Sequence, residues 1–311
     1  MILPLLLALQ GASAAPPPPS PSQIADAAPA DAWREIPSDQ LLVMTLAGDR
    51  RVVIQLVPAP FSQLWVRNIR TLARAHWWDG TSVNRVQDNY VAQWGDASEA
   101  KPLPDGLEAG TEAGYAVSLT GLDHSEPGVV RWNGGRAAAR VVTAGRDPYA
   151  EVAAIHGGFP IAGGARDGGS GTQAWPIHCY GSVGVGRNLS PDTGTGAELY
   201  AVIGHAPRHL DRNIAVVGRV VEGIEHLSSL PRGTGPLGFY EDAGQRVPIL
   251  SVRLASDLPK GGRPRFQYLE EGSEAFGRYV QARENRELPF FFRPAGGADI
   301  CNIPVPVRRM P

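Results

Sequence analysis

The residue of this chain best suited to chemistry is an arginine set among small and apolar neighbours. The stretch Trp78-Asp79-Gly80-Thr81-Ser82-Val83-Asn84-Arg85-Val86 leads into Tyr90-Val91-Ala92-Gln93-Trp94-Gly95-Asp96. A guanidinium does not lose its proton, and it presents five donors in a fixed fork. A site built on Arg85 therefore acts by hydrogen bonding and charge, not by proton abstraction. The other constellations are weaker. His205-x-x-x-His209 has metal-ligand spacing, but Pro207 interrupts the helix that would align the pair. His178-Cys179 has no second pair at a suitable distance. Gly168-Gly169-Ser170-Gly171-Thr172 lacks the second spaced glycine of a nucleophile elbow, and Gly184-Val185-Gly186 lacks the third glycine of a dinucleotide loop. No metal and no cofactor are expected.

The elements that must position Arg85 are mostly strands. Leu41 to Leu46 and Val52 to Val57 are β-branched apolar runs joined by Ala47-Gly48-Asp49-Arg50, a hairpin pattern closed off by Pro58 and Pro60. Phe61, Trp65, Ile69 and Leu72 then recur at helical spacing, with Leu64 beside them. Asp79-Gly80 breaks that helix. Ser82 to Val86 and Tyr90 to Trp94 read as a second strand pair. Residues 97 to about 174 are rich in Gly, Ala, Asp and Pro and read as a long insertion with local structure. Regular strands return at Gly181 to Val185, Glu198 to Gly204, Ile214 to Val221 and Ile249 to Leu254. Gly223 to Leu230 is a short helix candidate. From about 258 an extension follows, helical in composition over Glu270 to Arg286.

Composition agrees with a strand-rich protein. The chain has 311 residues, 37 Gly and 28 Pro, with 43% hydrophobic and only 19% charged residues, enough for a core and many loops. A net charge of −2 argues against a broad nucleic-acid surface. The N-terminal run Ile2 to Leu9 followed by Ala12-Ser13-Ala14 reads as a secretory signal over 1–14, although the usual preceding basic residues are missing. No stretch reaches the ~18 apolar residues that span a bilayer. Residues 15–37 read as a proline-rich linker, stiff where Pro16 to Pro21 cluster. Cys179 and Cys301 are an even pair. In an exported protein they suggest a disulfide tying the C-terminal tail to the core; the other reading is two unpaired thiols.

Taken together, these segments resemble the cyclophilin-type peptidyl-prolyl cis-trans isomerases of exported bacterial type. Trp77-Trp78-Asp79-Gly80-Thr81, Asn84-Arg85-Val86 and Tyr90 to Asp96 match the family's first block. Gly196-Ala197-Glu198-Leu199-Tyr200-Ala201, Ile203-Gly204-His205-Ala206-Pro207, Leu210-Asp211-Arg212 and Val216 to Gly223 match its second, in the right order. The resemblance covers about 38–96 and 175–255. It implies a mainly β fold: a closed eight-stranded antiparallel barrel capped by two helices, here a domain over 38–257 with the insertion at about 97–174 and a C-terminal extension over 258–311. It implies isomerisation of X-Pro bonds in proline-containing polypeptide clients; the N-terminal signal adds export, to a periplasm or, as the alternative, full secretion. It assigns Arg85 as the catalytic donor and Gln93 as the residue orienting it. Tyr90, Val91, Tyr200 and Leu210 fall at or beside the proline pocket, and His209 stands where the family carries an aromatic. Three positions depart from the pattern. Glu198 replaces an amide, and either pairs with Arg85 and competes with substrate or holds the arginine in place. Ile214 replaces a histidine or tyrosine, and Trp94 replaces a glycine. These departures keep open a second reading, a catalytically weak module that binds proline-containing segments as chaperone or scaffold.

Overall fold

The computed structural model describes residues 17–121, 129–132, 137–166, 168, 170–287 and 290–310. The signal read over 1–14 lies outside the described residues. The spacer expected over 15–37 is folded from Ser20 onward. Ser20 Oγ accepts from the Gln23 backbone and the Gln23 side chain accepts from the Ser20 N–H, a capping box with proline in the first turn of α1 (Pro21–Asp26). Ile24, Ala25, Ala28, Ala32 and Trp33 are buried. The apolar residues after the proline cluster thus convert a linker composition into a packed element, which ends in strand β1 (Trp33–Glu35).

The next elements are the hairpin β2 (Leu41–Leu46) and β3 (Arg50–Leu56), helix α2 (Gln63–Arg74), and the pair β4 (Ser82–Val86) and β5 (Val91–Gly95). Trp65, Ile69 and Leu72 lie on the buried face of α2, as their spacing predicts. Fully burying side chains of this size contributes ~1.5–3 kcal/mol each.

The insertion is more ordered than its composition suggests. It forms β6 (Val117–Leu119), β7 (Val129–Trp132), β8 (Ala137–Asp147), β9 (Ala150–His156), β10 (Phe159–Ala165) and β11 (Thr172–Pro176). These make one antiparallel sheet in the order β6-β11-β10-β9-β8-β7. Alternate residues serve two cores. Ala154, Ile161 and Ala174 join the barrel core, while Ala153, Ile155, Ala162 and Trp175 face a second cluster. A sheet covered on both faces shows no polar alternation in sequence, which is why its strands are hard to read there.

The chain then returns to the barrel through β12 (Ser182–Val185), β13 (Leu199–Val202), β14 (Val216–Glu222), the four-residue helix α3 (Glu225–Ser228) and β15 (Val247–Leu254). Eight strands close in the order β12-β13-β5-β4-β15-β2-β3-β14. Closure leaves the barrel no free edge. The C-terminal extension adds β16 (Phe266–Leu269), α4 (Glu274–Glu284) and β17 (Val307–Arg309). β16 pairs with both β1 and β17. The second hydrophobic cluster joins Ile24 and Trp33 of the N-terminal segment, Ile155 and Trp175 of the insertion, and Phe276, Ile300 and Ile303 of the extension. The three segments that fall outside the family blocks therefore share one core. Cys179 and Cys301 are joined by a disulfide within it.

Candidate active site

Strand register gathers the predicted side chains. Arg85 on β4 lies opposite Gln93 on β5, Gln93 lies opposite Tyr200 on β13, and Tyr200 lies opposite Gly184 on β12. Residues directly opposite one another share a sheet face. Trp94 and Ala92, which alternate with Gln93, are buried in the barrel core, so this row faces outward. The bulky Trp94 accordingly fills the core and leaves the site alone.

Three bonds fix the guanidinium. Arg85 Nη1 donates to Gln93 Oε1 at 3.0 Å, Nη2 to Gln87 Oε1 at 2.5 Å, and Nε to the Leu237 carbonyl at 2.7 Å. Its central carbon lies 5.8 Å from the Tyr90 ring centroid and 5.5 Å from that of Phe239. Cations are attracted to ring faces at such distances. Burial lowers its pKa from the ordinary value, yet it remains a cation.

Beside Arg85 a small apolar cluster stands apart from the barrel core. Val91, Tyr200 and Val202 form its floor, with Tyr90, Leu210 and Ile214 packed against them. A groove of about 680 Å³ opens over it, lined by Arg85, Tyr90, Val91, Gln93, Glu198, Tyr200, Leu210 and Ile214 among others. His209 is placed differently from the expectation that it contacts substrate. It is exposed and stacks on the outer side of Tyr90, with ring centroids 6.2 Å apart, and does not line the groove. The adjacent Leu210 takes the inward position, because the short 3-10 turn Arg208–Leu210 turns one residue toward the pocket and its neighbour toward solvent.

Glu198 does not pair directly with Arg85. Its Oε2 accepts from Gln93 Nε2 at 3.4 Å, while the other end of that amide accepts from Arg85. The carboxyl therefore acts on the arginine through Gln93.

A family model for the cyclophilin type peptidyl-prolyl cis-trans isomerases matches residues 41–254. The chain belongs to this family. Among solved structures it is similar to the cyclophilin AquaCyp293 from Hirschia baltica, with 22% identity and a TM-score of 0.65 over 89% of this chain and 93% of that one. A Cryptosporidium parvum cyclophilin type isomerase, solved in the presence of the dipeptide Ala-Pro, matches at 11% identity and a TM-score of 0.38, over 69% of this chain and 98% of that one. No curated protein matches the chain in sequence.

Within this family barrel, Glu198 gives the site a titration near neutrality. Burial pushes its carboxyl up from 4.5 to about 7, helped by Glu99 and Asp96 and opposed by the Gln93 bond. The sign for stability follows from the raised value. The neutral form favours the fold, so its contribution is complete below about pH 4.5 and is lost as pH rises through about 7. Activity is expected to move the other way. The carboxylate is an acceptor only, so it holds the Gln93 amide with Oε1 toward Arg85. We expect kcat/KM to rise roughly two- to fivefold between about pH 6 and pH 8, and Glu198→Gln to flatten that rise. A profile unchanged by E198Q would assign the titration elsewhere. Tyr90 and Tyr200 do not compete in this range, since burial pushes both phenols above their ordinary value.

Gln87, Leu237 and Phe239 were not visible as site residues in sequence. Gln87 lies two residues after Arg85, a usable local signal. Leu237 and Phe239 come from an irregular turn some 150 residues on, where the only pattern is an apolar pair around a glycine, and an isolated bridge between Arg85 and Phe239 brings it alongside.

Proposed function

We propose that this chain accelerates rotation about X-Pro bonds in exported polypeptides, with Arg85 stabilising the twisted amide. The barrier to rotation is about 18–20 kcal/mol and comes from amide resonance, while the cis and trans forms of an X-Pro bond differ by only about 0.5–1 kcal/mol. Catalysis therefore needs neither nucleophile nor metal. It needs a pocket that binds the proline ring and a donor for the nitrogen lone pair that appears when resonance breaks. The Tyr90, Val91, Tyr200, Leu210 and Ile214 cluster suits the ring, and Arg85 stands at its edge.

The observation that carries this reading is the state of Arg85. Three of its N–H groups are engaged by fixed acceptors, none of them a carboxylate, so the remaining donors and the charge stay available. This favours turnover over mere holding, because Glu198 does not neutralise the guanidinium. The export of the protein to a periplasm rests on the Ile2 to Ala14 sequence and gains support from the Cys179–Cys301 disulfide, a bond suited to an oxidising compartment. The division into a barrel over 38–257 and segments around it rests on the two family blocks.

The test is NMR exchange or protease-coupled isomerisation of an X-Pro tetrapeptide with the purified chain. Acceleration that scales with protein concentration is expected. A rate equal to the spontaneous one at micromolar protein would sink the reading and leave a binding module.

A further inference from the structure

Tyr200 carries a hydroxyl into a buried place at the edge of the proposed pocket. A Cβ at Gly184, directly across the strand pair, would run into that hydroxyl, so the glycine supplies the room. The hydroxyl lies 2.9 Å from His178 Nε2, and His178 Nδ1 lies 3.0 Å from Asp211 Oδ1. Asp211 Oδ1 also accepts from the His178 backbone N–H at 3.0 Å. Asp211 Oδ2 accepts from Arg208 Nε at 2.6 Å, and Arg208 Nη1 donates to Asp147 Oδ2 at 2.9 Å. Every side chain in this chain of bonds is at most 5% exposed.

The donors and acceptors run in one direction. Asp211 beside Arg208 is an acceptor only, so Nδ1 of His178 carries the proton and Nε2 accepts from the Tyr200 hydroxyl. Burial keeps that phenol protonated and hence a donor. The far end is the notable part. Asp147 ends β8 of the insertion, and the next turn lays the Tyr149 ring 4.8 Å from the Arg208 guanidinium. Arg208 also opens the turn that carries Leu210, a second wall of the pocket. A buried guanidinium with carboxylates on both sides is costly to disturb at either one.

We propose that Asp147, Arg208, Asp211 and His178 form a positioning relay that sets the Tyr200 ring and the Leu210 turn, making the insertion a working part of the isomerase pocket. The proposal rests on the function proposed above. None of the four touches the reacting bond; they act through Tyr200 and Leu210. Because the relay bears on the shape of the ring-binding cluster and not on Arg85, disturbing it should weaken peptide binding more than turnover.

The experiment is a double-mutant cycle of Asp147→Asn and Tyr200→Phe, read as separate KM and kcat values for an X-Pro peptide and as peptide affinity by calorimetry. Each single change is expected to raise KM and the dissociation constant about threefold to tenfold with kcat within about twofold, and the double variant should be little worse than either. Asp147→Glu should recover part of the loss by restoring the charge. Tyr200→Phe deletes one hydroxyl and guards against a folding failure of the Asp147 variants. The ring ¹⁵N resonances of His178 supply a readout that does not depend on turnover: they should report the Nδ1–H tautomer in the wild type and shift in both single variants. Additive effects, an unchanged KM, or His178 resonances indifferent to Asp147 would overturn the relay. If the wild type neither binds nor isomerises X-Pro peptides, the relay falls together with the proposed function; if it isomerises and the cycle is additive, the relay alone falls.

Discussion

Arg85→Ala is expected to lower kcat/KM for X-Pro isomerisation by about 10²–10³-fold, the loss usual for removing one preorganised donor from a site where charge develops. KM should change little, because the proposed ring pocket is the apolar cluster of Val91, Tyr200 and Leu210 and does not include the guanidinium. Preorganisation is what the geometry contributes. The Leu237 carbonyl, Gln93 and Gln87 each take one N–H, and the Tyr90 and Phe239 rings flank the plane, so the fork has little freedom left to lose in the transition state. Arg85→Lys separates charge from shape. A lysine keeps the charge but cannot satisfy Leu237 and Gln93 while still reaching substrate, so most of the loss should persist. Since Arg85 also clips the turn around Leu237 to β4, melting curves should accompany the kinetics. Unchanged kcat/KM in a folded Arg85→Ala protein would remove the arginine from the mechanism.

How far this site could be read from sequence depends on how local its parts are. Arg85, Tyr90, Val91 and Gln93 come from one strand pair, and period-two alternation already separates outward Gln93 from inward Trp94. Tyr200 and Leu210 needed the second block, because only the barrel closure brings β13 beside β5. The Leu237–Phe239 turn has no periodicity and no regular secondary structure of strand or α-helix type, so nothing local marks it.

The sequence left two readings of Glu198 open, competition with substrate or support of the arginine, and its bonds run to Arg85 by way of Gln93. The family resemblance places Glu198 near Arg85, but register puts Gln93 between the strands that carry them, so the charges meet only through the amide. The reading of 15–37 as a linker failed for a different reason. Ser20-Pro21-Ser22-Gln23 already holds the capping-box spacing with proline at the first helical position, a signal hidden by the prolines just before it. The insertion was obscured by its own packing. Its strands are rich in Ala and Val because they lie between two cores, and the polar alternation that marks a half-buried strand is lost.

Cutting the Cys179–Cys301 bond is expected to cost about 2–5 kcal/mol of stability, the second large effect the structure supports. The bond closes a loop with a sequence separation of 122 residues, and the restriction it places on the unfolded chain grows with the logarithm of that length. Its location adds to the effect. Cys301 sits in the 3-10 turn Ile300–Asn302, between Ile300 and Ile303, which are both buried in the second core. The tail beyond it is also held by the Tyr279 hydroxyl donating to the Pro304 carbonyl, by the short β16–β17 pairing, by buried Val305 and by the exposed Arg309–Glu222 ion pair. Without the crosslink, the tail, α4 and α1 rest on the second core and one short three-stranded sheet, so they should open before the closed barrel does. Cys301→Ser is the cleaner variant, because Cys179 is buried and follows His178 directly. The melting temperature should fall on the order of 10 °C, in a transition that becomes broader or splits as the second core separates from the first. Isomerase activity at 25 °C should stay within about threefold, because His178 keeps its bonds to Asp211 and Tyr200 when the neighbouring sulfur is lost. The measurement is a thermal melt with and without reductant, alongside intact mass to establish that the bond has been opened. Coincident melts of the oxidised and the fully reduced chain would show that the extension's other contacts hold it in place without the bond.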